Sequence, residues 1–211
     1  MTKLVKLSLA AAVMVTGLSA SDYSVSGDAT FATNSLWRGA TGTGNTPTVQ
    51  STLNVEHKSG AYAGMWGTGT ATGSEIDLYV GYATEVSGFG IDAGFVDYTT
   101  TSAETEDWTV DGSGELYVGV SKTVASIDLG ATVYEEVLAD DTATTLEGSI
   151  GKDLDVVSLS ALAGYNVDTE AKYVSATASK SIESIKGDIA LTVGQATDGD
   201  AVYALTYTTS F

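Results

Sequence analysis

From Asp22 onward, apolar and polar residues alternate with a period of two in segments of about ten residues, with Gly, Ser, Asp and Asn between them. That period belongs to strands; a helix would repeat its apolar face every 3.6 residues. Twelve segments follow from it: 23–37, 48–58, 61–70, 75–86, 89–100, 114–123, 125–136, 144–153, 156–167, 171–181, 185–195 and 201–211. One misjudged hairpin would make the count ten or fourteen. One face is apolar, as in Ile76-Leu78-Val80-Tyr82, Phe89-Ile91-Ala93-Phe95 and Ile127-Leu129-Ala131-Val133. The other carries small, polar and acidic residues, as in Asp77-Tyr79-Gly81, Asp92-Gly94 and Asp128-Gly130-Thr132. An acid-rich face cannot form a dry core without paired charges, but it can line water. Segment 61–70 has large groups on both faces, so its orientation stays open.

The segment 201–211 is the cleanest strand. Phe211, Thr209, Tyr207, Leu205 and Tyr203 share one face over the length of a tilted membrane-crossing strand. A terminal Phe behind alternating Tyr and Leu resembles the closing strand of outer-membrane barrels. Phe211, Tyr207 and Tyr203 are therefore expected to form the signal read by the barrel assembly machinery. Connections alternate between short (59–60, 87–88, 124, 154–155, 182–184) and longer (38–47, 71–74, 101–113, 137–143, 168–170, 196–200), as periplasmic turns and external loops do. Lys122, Lys152 and Lys180 each continue an apolar face at a periplasmic strand end, where a lysine stem can snorkel to the interface. Trp37 and Trp108, near external strand ends, are expected to join the aromatic girdle, with Tyr165, Tyr203 and Tyr207. The expected fold is thus all-β: a transmembrane, antiparallel, up-and-down barrel of about twelve strands.

Residues 1–20 combine Lys3 and Lys6 with an apolar run from Leu7 to Val15 and small residues at Gly17, Ser19 and Ala20. They read as a cleaved signal peptide, leaving 21–211 as the barrel domain. Without them, seven basic residues face 27 acidic ones, a formal charge of −20. No basic patch exists for nucleic acid. The absence of cysteine excludes disulfides and thiolate metal sites. No later apolar run approaches the ~20 residues of a transmembrane helix, and one proline leaves long ladders uninterrupted.

The first half carries a family resemblance. Tyr23-Ser24-Val25-Ser26-Gly27, Trp37-Arg38-Gly39, Pro47 through Gln50, His57 through Gly67 and Glu75 through Tyr82 together resemble the TorF-like porins of Gram-negative outer membranes. The Thr- and Gly-rich stretch after Arg38-Gly39 departs from that pattern. The resemblance implies an outer-membrane barrel with a pore role and names no substrate.

By alternation, Asp28, Glu56, Glu75, Asp77, Asp92, Glu115, Asp128, Glu147 and Asp188 line the lumen, with Lys58 and Lys186 as its only bases. The expected function is passive diffusion of small solutes or ions, with cations preferred. The alternative is a plugged structural or adhesion barrel without channel activity. Enzyme chemistry finds no foothold. His57 is the single histidine and no nucleophile or orienting partner is marked beside it. Gly39 to Gly44 lacks the Gly-Lys-Ser/Thr ending of a phosphate loop and reads as a flexible external loop. Glu104, Glu106, Asp107, Asp111 and Glu115 do not follow an EF-hand spacing and read as a solvated loop. No cofactor is expected. The expected surroundings are outer-membrane lipid and lipopolysaccharide.

Overall fold

The computed structural model describes residues 22–102, 108–139 and 142–211, with the backbone path alone for 102 and 108–112. The expected signal peptide, residues 1–20, and the acids Glu104, Glu106 and Asp107 lie outside the described residues. Fourteen strands follow in chain order: β1 (Tyr23–Ala32), β2 (Leu36–Trp37), β3 (Ala40–Thr41), β4 (Thr48–His57), β5 (Ala61–Gly69), β6 (Gly73–Val86), β7 (Phe89–Ser102), β8 (Trp108–Val124), β9 (Ile127–Glu136), β10 (Thr144–Asp153), β11 (Ser158–Asn166), β12 (Lys172–Ile182), β13 (Gly187–Ala196) and β14 (Val202–Ser210). Twelve of them close a barrel in the order β1-β14-β13-β12-β11-β10-β9-β8-β7-β6-β5-β4, and β2 pairs only with β3. Every ladder is antiparallel. Closure leaves no sheet edge, as a strand structure in hydrocarbon requires.

The register carries the two faces around the whole barrel. Glu56 stands opposite Tyr62, then Gly81, Gly94, Tyr117, Tyr134 and Thr145 on successive strands. On this face Tyr79, Tyr117, Tyr134 and Tyr173 are buried. The other face exposes large apolar side chains, Val25 at 67%, Val118 at 59% and Leu191 at 54% among them. Apolar groups outside and buried phenols inside are the reverse of a soluble barrel and suit a barrel set in lipid.

Aromatic rings and glycines fit the inner wall together. The Tyr62, Tyr117 and Tyr173 rings lie where a Cβ on Gly81, Gly94 and Gly164 would stand. On the outer face the Phe211 ring covers Gly27, 2.6 Å from where its Cβ would be, and Tyr207 covers Gly187. These are aromatic caps on sheet glycines. Phe211 also extends the closing seam, donating to the Gly27 carbonyl at 3.0 Å and accepting from its N–H at 3.1 Å.

Three expectations need correction. The first segment does not run to residue 37: β1 stops at Ala32, because Thr33 and Asn34 turn the chain inward with side-chain bonds to β14. The 101–113 connection is shorter than expected, since β7 reaches Ser102 and β8 begins at Trp108. Segment 61–70 now has an orientation. Tyr62, Trp66 and Thr68 face in, opposite Gly81, Asp77 and Glu75, whereas Ala63 and Met65 face out opposite Val80 and Leu78.

Candidate functional site

The lumen is the candidate site. The ladders bring all nine expected acids to its wall. Asp28 is opposite Thr52, Trp66 is opposite Asp77, and Asp92 is opposite Gly119. Asp128 is opposite Gly151, Glu147 opposite Gly164 and Asp188 opposite Thr208. They are not equivalent. Glu115 and Asp77 are buried, at 3% and 9% exposure, while Glu56 and Asp188 are exposed.

Hydroxyl donors hold most of these carboxylates. Tyr62 donates to Asp92 and meets the Tyr117 hydroxyl. Tyr98 donates to Glu115 at 2.7 Å, and Tyr173 donates to Glu147. At the end with the short turns, which the loop lengths assign to the periplasm, Thr123 donates to Asp128 at 2.6 Å and Ser181 to Asp188. Each bond aims an acid that would otherwise stand among like charges. Asp77 has a buried Oδ1 that no hydrogen bond reaches.

The external mouth contains what the sequence reading missed. Residues 33–47, expected as a flexible external loop from 38 on, fold inward as the β2–β3 hairpin. Arg38 (φ 44°) and Gly39 (φ 78°) form its two-residue turn, both left-handed as a type I′ turn demands. Arginine is a poor choice for such a position on local grounds. Its side chain explains it: both Glu115 oxygens accept from the Arg38 guanidinium at 2.8 Å, which also lies over the Trp37 and Tyr134 rings. Gly39 presses on the opposite wall, where an added Cβ would strike the Gln195 carbonyl of β13. Four strands separate β8 from β13 one way round and six the other, so neighbouring residues touch nearly opposite walls.

The base of this hairpin is polar, buried and partnered. Asn34 Oδ1 accepts from the Thr41 and Thr43 hydroxyls at 2.6 and 2.8 Å, and the Thr43 hydroxyl oxygen accepts from the Ser35 N–H at 3.1 Å. Gln50 on β4 donates to the Ser35 hydroxyl at 2.8 Å. Below the hairpin the wall changes character. Ser149, Thr177 and Thr192 are half-buried and Ser160 is exposed, so the periplasmic part of the lumen is lined by accessible hydroxyls.

Several expected anchors can be placed. Lys122, Lys152 and Lys180 stand opposite Leu129, Leu159 and Ile189 on the outer face at periplasmic strand ends. The Lys122 ammonium sits 3.8 Å above the centre of the Phe89 ring. Trp37 is not in the outer girdle: it meets lumen-facing Tyr98 edge-on, because the chain has already turned inward. Trp108 opens β8 at its external end. Lys58 and Lys186 leave the wall for periplasmic turns, Lys58 paired with Asp22 at 2.8 Å and Lys186 left-handed after a 3-10 turn. Arg38 takes their place as the base inside. Tyr203 and Tyr207 are on the outer face, opposite Val193 and Ile189. Among the described residues no group of His, Cys, Asp and Glu is arranged to hold a metal ion.

A family model described as "Bacterial protein of unknown function (Gcw_chp)" matches residues 17–208. No curated protein matches the chain. Among solved structures a KdgM porin is similar, with a TM-score of 0.66 at 11% identity over 88% of this chain and 99% of that one. The KdgM porin in complex with disordered oligogalacturonate gives a TM-score of 0.63 at 12% identity over the same shares. At such identity the likeness is one of fold. It reaches the porin barrel that the TorF-like resemblance implied, under a different family description.

Proposed function

We propose that this chain, which belongs to the Gcw_chp family of bacterial proteins, is an outer-membrane channel for passive diffusion of small solutes and ions, with a preference for cations. The observation that carries the reading is the inner wall, where the nine acids and Glu136, opposite Glu115, share one face with Arg38 as the one base there among the described residues. Twelve strands tilted at ~40° and spaced ~4.8 Å give a backbone diameter of roughly 24 Å. Side chains from both walls reduce the opening to about 10 Å or less, comparable to the Debye length at physiological salt. Wall charges therefore act on every ion inside. Uncompensated acids at this density need water or counterions around them, and the hydroxyl-lined periplasmic part offers that space.

An oligogalacturonate is a polyanion. The sign of this lumen argues against a solute of that class, despite the shared fold with the KdgM porin. The last strand, with Phe211, Tyr207 and Tyr203, is the segment we assign to recognition by the assembly machinery. Lysines at the periplasmic rim suit a barrel embedded in lipid below a lipopolysaccharide leaflet.

One observation favours the plugged barrel as a second reading: the β2–β3 hairpin occupies the external mouth. Planar-bilayer recording separates the two. Stepwise currents whose reversal potential in a salt gradient has the cation-selective sign, and shrinks as ionic strength rises, are the expected result. Silence at high protein would establish the plug, and an anion-selective current would refute the role given to the acids.

A further inference from the structure

We propose that the Thr33–Pro47 segment is a gate over the lumen and that the Arg38–Glu115 ion pair is its latch. The inference rests on the channel reading but goes beyond it, because it assigns the external mouth two states. Three observations carry it. First, the segment is a self-contained unit: the Asn34, Ser35, Thr41 and Thr43 bonds lie within it, so its fold does not depend on the far wall. Second, its attachments are unequal. Near its ends it is held by bonds from Asn34 to the Tyr203 carbonyl and from Gln50 to Ser35. Among the described residues, the one ion pair at its tip is that of Arg38 with Glu115. Third, the tip is what closes the mouth. Gly39 lies on β13 while Arg38 reaches β8, and below this level the wall residues are again half-buried or exposed.

An arginine at a left-handed turn position has no local reason to be there, and Gly or Asn would suit the turn better. The residue is explained by what its guanidinium reaches, a buried carboxylate also held by Tyr98. One guanidinium nitrogen bridges both carboxylate oxygens, a charge-assisted contact stronger than a neutral hydrogen bond. With either partner removed, the tip keeps only apolar contacts and ring stacking, and the hairpin can swing about its ends as one body.

The chain has no cysteine, which allows a test that does not depend on conduction. Thr145→Cys places a thiol on the wall itself, outside the hairpin, where 1% of the residue is exposed and its ladder partner Tyr134 lies under the Arg38 guanidinium. Its reaction with a water-soluble, charged methanethiosulfonate reagent would be timed with Arg38 present and in the Arg38→Met background. The expected result is about a ten-fold faster reaction without the latch, a discounted figure for losing one partner of a buried pair, because the Arg38 side chain is 22% exposed. Glu115→Gln should accelerate labelling similarly, and Arg38→Lys should fall between. In planar bilayers Arg38→Met should raise single-channel conductance roughly two-fold, as when a side chain crossing an opening of about 10 Å is withdrawn. Retained heat-modifiable migration shows that each variant still forms the barrel. Labelling unchanged by Arg38→Met would overturn the latch even if the wild type conducts. Faster labelling with no current in any variant would keep the latch and refute the channel.

Discussion

Two glycine-to-alanine substitutions on adjacent strands should have opposite effects. At Gly164 on β11 an added methyl would overlap the Tyr173 ring, which is 6% exposed and donates to Glu147. The ring must move. Overpacking of this kind costs about 1–3 kcal/mol, and a hydrogen bond to a charged group adds about 1.5–3 kcal/mol when it is lost. Replacing glycine within a strand returns about 0.5–1 kcal/mol, so Gly164→Ala should destabilise by about 1.5–5.5 kcal/mol. Gly148 on β10 faces outward, and nothing lies within 4 Å of its added Cβ. Gly148→Ala should therefore be neutral or stabilising by about 0.5–1 kcal/mol. Urea unfolding in lipid vesicles, followed by the fluorescence of the three tryptophans, would report both changes. Tyr173→Leu should erase most of the Gly164→Ala cost in a double-mutant cycle, because the smaller side chain leaves room for the methyl. Equal effects at the two glycines, or no rescue by Tyr173→Leu, would refute the ring-over-glycine account of the inner wall.

A closed ladder offers no edge from which to unzip, so unboiled protein in detergent should migrate differently from boiled protein and show a β-type far-UV spectrum; identical migration with a helical spectrum would remove the barrel. Phe211→Ser should lower outer-membrane yield more than Phe89→Ser, since both remove an outward aromatic but only Phe211 caps Gly27 on the closing seam; equal losses would make Phe211 a membrane contact alone. Asp77→Asn combined with Asp128→Asn should reduce the cation-selective reversal potential while migration stays heat-modifiable, and unchanged selectivity would place the filter elsewhere.

The twelve barrel strands were legible because one face of each meets lipid, and a period of two survives wherever one side must be apolar. The acids were legible for the same reason, since most carboxylates avoid the lipid side, with Asp97, opposite outward Leu78, the departure from that rule. Segment 61–70 resisted because hydrophobicity does not say which way an aromatic points. Tyr62 and Trp66 look like lipid contacts until their partners are known, and then Gly81 and Asp77 across the ladder show the inner face. The inward hairpin was illegible for a different reason. Thr33 to Pro47 contains few apolar residues, so its composition is that of an exposed loop, and its burial rests on side-chain bonds among Asn34, Ser35, Thr41 and Thr43 that no periodicity announces. Trp37-Arg38-Gly39 did carry a usable signal. A bulky aromatic and a base flanking a turn glycine are odd choices for a loop that only meets water.

Fold stability and permeation draw on different parts of the same wall. Buried polar groups must be partnered, and in the external half the partners are protein groups: Tyr98 and Arg38 for Glu115, Tyr173 for Glu147, Thr41 and Thr43 for Asn34. Such bonds rigidify what they join, and each missing member leaves a carboxylate or amide without compensation. In the periplasmic half the hydroxyls of Ser149 and Ser160 are not buried, so water can serve them and their loss would leave nothing orphaned. Asp77 lies between these regimes, buried like the first group yet with an Oδ1 that no protein donor reaches. A carboxylate in that position is poorly stabilised as a charge, and its burial keeps a passing hydrated ion from reaching it. Cation preference should therefore depend on half-buried Asp128 more than on Asp77, a contrast that Asp128→Asn and Asp77→Asn measured separately would show.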